Sequence, residues 1–167
     1  MTAYDCARCG ERHDGVPFSY GTTAPAYWSD DLASDRDSML SDDLCVIKGE
    51  HHFVRARLVI PVHDAEHDFT WGIWTSLSRE SFTRMTSLRE TPGRESESSY
   101  FGWLSTELPV YPHSTINIKL RVHTAPLGEQ PHVLTEPTGH PLAVEQHHGI
   151  STARVHEIAS LLHHAQD

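Results

Sequence analysis

The chain has only three cysteines, fewer basic than acidic residues, and no long apolar run. A membrane-spanning helix needs roughly 18 consecutive apolar residues, and nothing here approaches that length. The N-terminal stretch has no apolar core of the signal-peptide kind, so a cytoplasmic location is expected, where thiols stay reduced. Basic residues number 13 against 23 acidic ones, for a formal charge of −10. That balance argues against non-specific binding to nucleic acid or to an anionic membrane, both of which need net positive surface. No GxSxG elbow is present, and Gly10, Gly15 and Gly21 are too scattered to form a phosphate loop. A protein or a small molecule is left as the partner class.

Histidine, by contrast, is abundant. There are 14, more than enough to reverse the sign of the net charge on full protonation. Unperturbed imidazoles titrate at about pH 6.5, so solubility and association are expected to be sensitive to pH there. A histidine-rich solvated surface is the simplest meaning.

The cysteines have a pattern. Cys6-Ala7-Arg8-Cys9-Gly10-Glu11-Arg12-His13 places two thiols where both can face one ion, and Cys45 is the only other thiol. Gly10 follows the second thiol, where a positive φ turns backbone N–H groups toward the sulfurs. A four-coordinate structural site needs a fourth ligand: His13, four residues after Cys9, or His51, six after Cys45, or an acidic group or water. Three thiols and an imidazole in a reducing compartment favour zinc over iron. A redox pair, a disulfide and unrelated thiols are the competing readings. The turn-like His13-Asp14-Gly15-Val16-Pro17 speaks against a redox pair, which usually opens a helix.

Further along, residues 14–43 are polar and turn-rich, with Tyr20, Tyr27 and Trp28 as isolated anchors and an acidic connector over residues 29–37. From Leu44 the pattern is β. Residues 44–47 and 53–62 suit a hairpin through Gly49. In residues 69–77, Phe69, Trp71, Ile73 and Thr75 share one face and Trp74 the other, as in a central strand packed on both sides. Ser78 caps a helix expected from Arg79 to about Glu90, stopped by Pro92-Gly93. A short aromatic strand covers residues 100–104. Ile116, Ile118, Leu120 and Val122 alternate with polar residues as a half-buried strand, which residues 132–136 pair back on. A final helix starts near Ser151, with Val155, Ile158 and Leu162 inward.

The fold class expected is α+β: one domain over residues 1–167, mostly antiparallel sheet, with two or three helices and an N-terminal zinc-knuckle segment. Residues 1–43 would form the knuckle and an irregular segment packed on a body spanning 44–167.

These segments, in this order, resemble an uncharacterised bacterial family, domain of unknown function 2199. The resemblance rests on CxxCGxxH, on Asp43 to Ile47, on Trp71 to Ser78, on Tyr100 to Leu104 and on His140 to Gln146. It is spread over most of the chain, from Cys6 to the final helix. It implies the ligand set Cys6, Cys9, His13 and Cys45, and it carries over no activity. Extra histidines, such as His52 and His147-His148, set this chain apart from the family pattern.

Two function classes follow. One is a binding or interaction protein with a structural Cys3His zinc. The other is a metal-dependent enzyme on a small molecule, with His140, Glu145 and His123 as candidate catalytic residues, since two imidazoles and a carboxylate can hold a catalytic metal or transfer protons. His140 and Glu145 match no established spacing, and a turn at His140-Pro141 with Glu145-Gln146 capping the loop before the last helix is the plainer reading.

Overall fold

The computed structural model describes residues 16–165, together with the backbone of two short strands, β1 (Tyr4–Asp5) and β2 (Arg12–His13). The remaining strands are β3 (Ser19–Gly21), β4 (Met39–Leu40), β5 (Leu44–Ile47), β6 (His51–Ile60), β7 (Phe69–Leu77), β8 (Tyr100–Trp103), β9 (Lys119–His123) and β10 (His132–Thr135). The α-helices are α1 (Arg79–Ser87), α2 (Pro141–His148) and α3 (Thr152–Ala165). The architecture is α+β, three helices around a mostly sheet core.

β6 and β7 form the backbone of the sheet, paired antiparallel from His52↔Leu77 to Ile60↔Phe69. The order is β3-β7-β6-β10-β9-β8. The second edge of β6 is shared: β5 pairs with its first half, and β10 joins in parallel at Arg57↔His132. At the far end β8 returns to β7. Leu104 bridges Thr75, and Ser105 N donates to Trp74 O at 2.8 Å. This closes the strands into a ring. Gly102 makes the closure possible, because a Cβ there would lie 2.3 Å from Thr75 Oγ1 and 2.5 Å from Ser76 O.

Alternation along the strands sorts side chains into two sets. Val54, Ala56, Leu58 and Ile60 on β6 face inward with Phe69, Trp71 and Ile73 on β7, and helices α2 and α3 add Leu142, Val155 and Ile158 to this core. On the outer face, Phe53 and Trp74 form a smaller cluster with Leu32, Cys45 and Ile47, against which Trp28 and Leu40 pack. Trp74 Nε1 donates to Thr22 O at 3.1 Å. β7 is thus packed on both sides, as its aromatic pattern predicts.

The hairpin joining β5 and β6 turns at Lys48 and Gly49, both at positive φ, and β6 begins at His51, two residues before its expected start. Helix α1 stops at Ser87 and buries none of its residues, short of the expected Glu90. Thr86 Oγ1 and Ser87 Oγ bond back to carbonyls of Phe82, Thr83 and Arg84, competing with continuation of the helix. The alternating segment 116–122 is strand only from Lys119. Asn117 has φ 68°, a left-handed conformation that asparagine tolerates, and it breaks the run. The acidic connector holds a 3-10 turn, Asp30–Ser34, that buries Leu32.

The segment after β10 differs most from expectation. Residues 141–148 are helical and not a capped loop. Pro141 stands at the first helical position, where its fixed φ suits a helix and its missing N–H costs nothing. Gly149 ends the helix at φ 80°. No helix among the described residues is long and apolar enough to cross a membrane.

Candidate functional site

Groups that can do chemistry gather in three places, two of them proposed from sequence. The first is Cys45. It lies on β5 opposite Phe53, fully buried. Burial pushes its thiol up to about 11, so on its own it is neither nucleophile nor thiolate at neutral pH. His51 lies two positions along β6 from Phe53, diagonal to Cys45 on the same face of the hairpin. Cys6 and Cys9 lie outside the described residues, as does the side chain of His13. The flanking strands pair antiparallel, Tyr4↔His13 and Asp5↔Arg12. Among the described residues no group of three or more His, Cys, Asp or Glu side chains could hold a metal ion.

The second place is α2. His140 is its N-cap: Nδ1 accepts from Leu142 N at 3.1 Å, while Nε2 lies 3.1 Å from Ser114 O. One nitrogen accepting and the other donating is the neutral imidazole with both positions used. Glu145, on the same helix, accepts from Arg154 Nε at 2.8 Å through Oε2, and Arg154 also reaches Glu157 at 2.9 Å. Tyr111 lies under the Arg154 guanidinium, 5.5 Å from ring centroid to Cζ, and accepts from Trp71 Nε1 at 3.1 Å. Burial first, and then the Glu145 charge, raises the Tyr111 phenol far above its usual range. Glu145 Oε1 is buried with no partner at hydrogen-bond geometry. Tyr111 is 6.2 Å from the His140 ring, so His140 and Glu145 share it as a neighbour.

Gln146, next in the chain, went unnoticed in sequence except as a loop cap. It is buried. Its Oε1 accepts from Thr135 N at 2.7 Å and from Thr135 Oγ1 at 2.8 Å; its Nε2 donates to Val133 O at 2.9 Å. This amide welds α2 to β10. Its one sequence signal is an amide on a helix that pairs an acceptor and donors with a strand edge, and that is legible only once the helix is known.

His123 is elsewhere. It stands on β9 opposite His132, the rings stacked at 5.1 Å and 12°. Burial, then the charges of His123 and Arg57, lower the pKa of His132. The strand pair meets α2 at Thr135, which is opposite Leu120, three residues from His123. The structure therefore brings His140 and Glu145 around Tyr111 and leaves His123 in a separate pair.

The third place was not anticipated. Where β5 and β10 part along β6, a cleft of about 430 Å³ opens beneath α1, lined among others by Leu44, Val54, Arg55, Met85, Arg89 and Thr124. Thr124 is 8% exposed and its hydroxyl has no partner.

Comparison with known proteins agrees with the residue pattern. A family model described as an uncharacterized protein conserved in bacteria matches residues 5–150, from β1 through α2 and stopping short of α3. No curated protein matches, and no solved structure does. With the match spanning most of its length, the chain belongs to the bacterial family DUF2199.

Proposed function

We propose that this chain is a cytoplasmic zinc-binding protein, a single domain in which a structural metal held by Cys6, Cys9, His13 and Cys45 fixes the N-terminal hairpin, and that it works as a binding module for a protein partner. The observation that carries this reading is the antiparallel pairing of β1 with β2, the two strands that flank Cys6 and Cys9 along the chain, the second of which contains His13. Cys45 supports it from the other side: it is the one described thiol, it is buried, and it faces the small outer cluster. A buried thiol with a raised pKa becomes a good ligand when a zinc ion deprotonates it and replaces the lost solvation.

A binding role is favoured over catalysis by His140. An imidazole that caps a helix with one nitrogen and donates to a carbonyl with the other has no lone pair left for a metal or a substrate proton. Without it, Glu145 and His123 lack a common site.

The test is metal content of freshly reduced protein beside the Cys9→Ser, Cys45→Ser and His140→Ala variants. A single zinc in the parent chain, lost in both cysteine variants and kept in His140→Ala, is expected. An unchanged thermal midpoint of the metal-saturated parent against a lowered one in Cys9→Ser, with the far-ultraviolet circular dichroism of the two alike, separates loss of ligation from loss of the fold. A parent chain without metal overturns the reading.

A further inference from the structure

The outer face of β8–β9–β10 is exposed among the described residues, and its residues do not match the rest of this acidic chain. Alternation places Phe101, Arg121 and Leu134 in one cross-strand row and Trp103 and Lys119 in the next. Phe101 is 47% exposed, Trp103 39% and Leu134 44%. The two rings meet edge to face at 5.0 Å, and Lys119 Nζ lies 5.9 Å from the Trp103 centroid. A groove of about 410 Å³ runs alongside, with Phe101, Leu134 and Pro137 as apolar walls and Lys119, Arg121 and His147 around them. Lys119 and Arg121 have no ion pair among the described residues. Among the described residues that line the groove, Glu136 is the one acidic residue.

Contiguous exposed apolar surface of this kind marks an interaction site. Its chemistry also identifies the occupant. Unpaired cations beside aliphatic and aromatic walls complement a segment with acidic residues flanking an apolar anchor. A single-stranded nucleic acid would also meet cations and aromatics, but it needs open ring faces on which to stack. Here the edge of one ring abuts the other, and Lys119 lies over Trp103. A long polyanion would also be repelled by the net charge of −10, and a short acidic segment much less so.

We propose that the β8–β9–β10 face docks an acidic segment of a partner protein, with a leucine-like side chain seated between Phe101, Leu134 and Pro137 and carboxylates on Lys119 and Arg121. This rests on the binding-module reading and names the partner's chemistry.

The test is fluorescence anisotropy with a short labelled peptide of leucines flanked by glutamates, read against the intact chain. Saturable binding is expected, weakened at least about tenfold by glutamine in place of glutamate or alanine in place of leucine. Arg121→Glu and Leu134→Asp, both at exposed positions, should weaken it as much without moving the thermal midpoint. Arg89→Glu, in the other cleft, should leave it within about twofold. No saturable binding, or an Arg121→Glu chain that binds like the parent, overturns the proposal. So does tighter binding of oligodeoxythymidylate than of the peptide. Zinc measured on the same samples separates the two readings: a chain that holds zinc yet ignores the peptide overturns this inference alone, and one that binds the peptide without zinc overturns only the metal.

Discussion

Helix α2 and the outer face of β8–β10 meet along β10, and both are rich in residues that can do chemistry. On α2 nearly every such group is consumed within the protein. His140 uses both nitrogens, Gln146 uses its carbonyl and its amide, and Glu145 is held by Arg154. On the outer face Arg121 and Lys119 have no ion pair among the described residues, and the rings of Phe101 and Trp103 are part exposed. The difference teaches that residue type alone marks neither a site nor a scaffold. What decides is whether lone pairs, protons and charges are already spent.

The comparison can be broken most severely at Gly102, which lets β8 close on β7. Gly102→Val forces side-chain atoms into Thr75 and the Ser76 carbonyl and should cost about 3 kcal/mol, read by chemical denaturation. A chain of unchanged stability would mean that the outer face does not depend on this closure. Next comes Gln146→Ala, which strands Thr135 N and the Val133 carbonyl in the core; a loss of about 2 kcal/mol is expected, with α2 fraying first in hydrogen exchange. His140→Ala removes the cap and should cost about 1 kcal/mol. A drop in bound metal in that variant would place His140 in a site and erase the contrast drawn here.

A change of similar size and opposite sign is expected at Thr124. Its buried hydroxyl is unpartnered, so Thr124→Val should raise stability by about 1 kcal/mol, unless the cleft holds a ligand that bonds it. The smallest effect is at Asp64, which caps α3 by accepting from Thr152 N at 2.8 Å and Thr152 Oγ1 at 2.7 Å. Those bonds lower its pKa from the ordinary 3.8. A depressed carboxylate contributes stability that is present above the unfolded value and lost as pH falls through the folded one. The melting difference between the parent chain and Asp64→Asn should therefore be open above about pH 4 and close below it. A difference that stays constant through acid would show the cap to be uncharged hydrogen bonding alone.

Much of the sheet can be read directly from the chain. The bounds of β7 follow from the alternation of Phe69, Trp71 and Ile73, and the β5–β6 turn follows from Gly49, because each depends on neighbours a few residues away. The end of α1 and the late start of β9 were misplaced by local competition: hydroxyls returning to helical carbonyls in one, a left-handed Asn117 in the other. Helix α2 escaped because its amphipathic signal is weak. Leu142, Ala143 and Gln146 are its buried residues, and an amide does not read as core until its partners are known.

The ordering of apolar residues along each strand, the caps and the turn glycines were set by the sequence alone, since a strand's faces and a turn's φ are local properties of the backbone. The resemblance to DUF2199 was legible there too. The fate of the polar groups was not. Whether His140 is a base or a cap depends on Ser114 and Leu142, and whether Arg121 is free depends on what strands β8 and β10 bring beside it. Hydrogen bonds and ion pairs act over a few ångströms, between residues whose separation along the chain carries no information about that distance until the chain has folded.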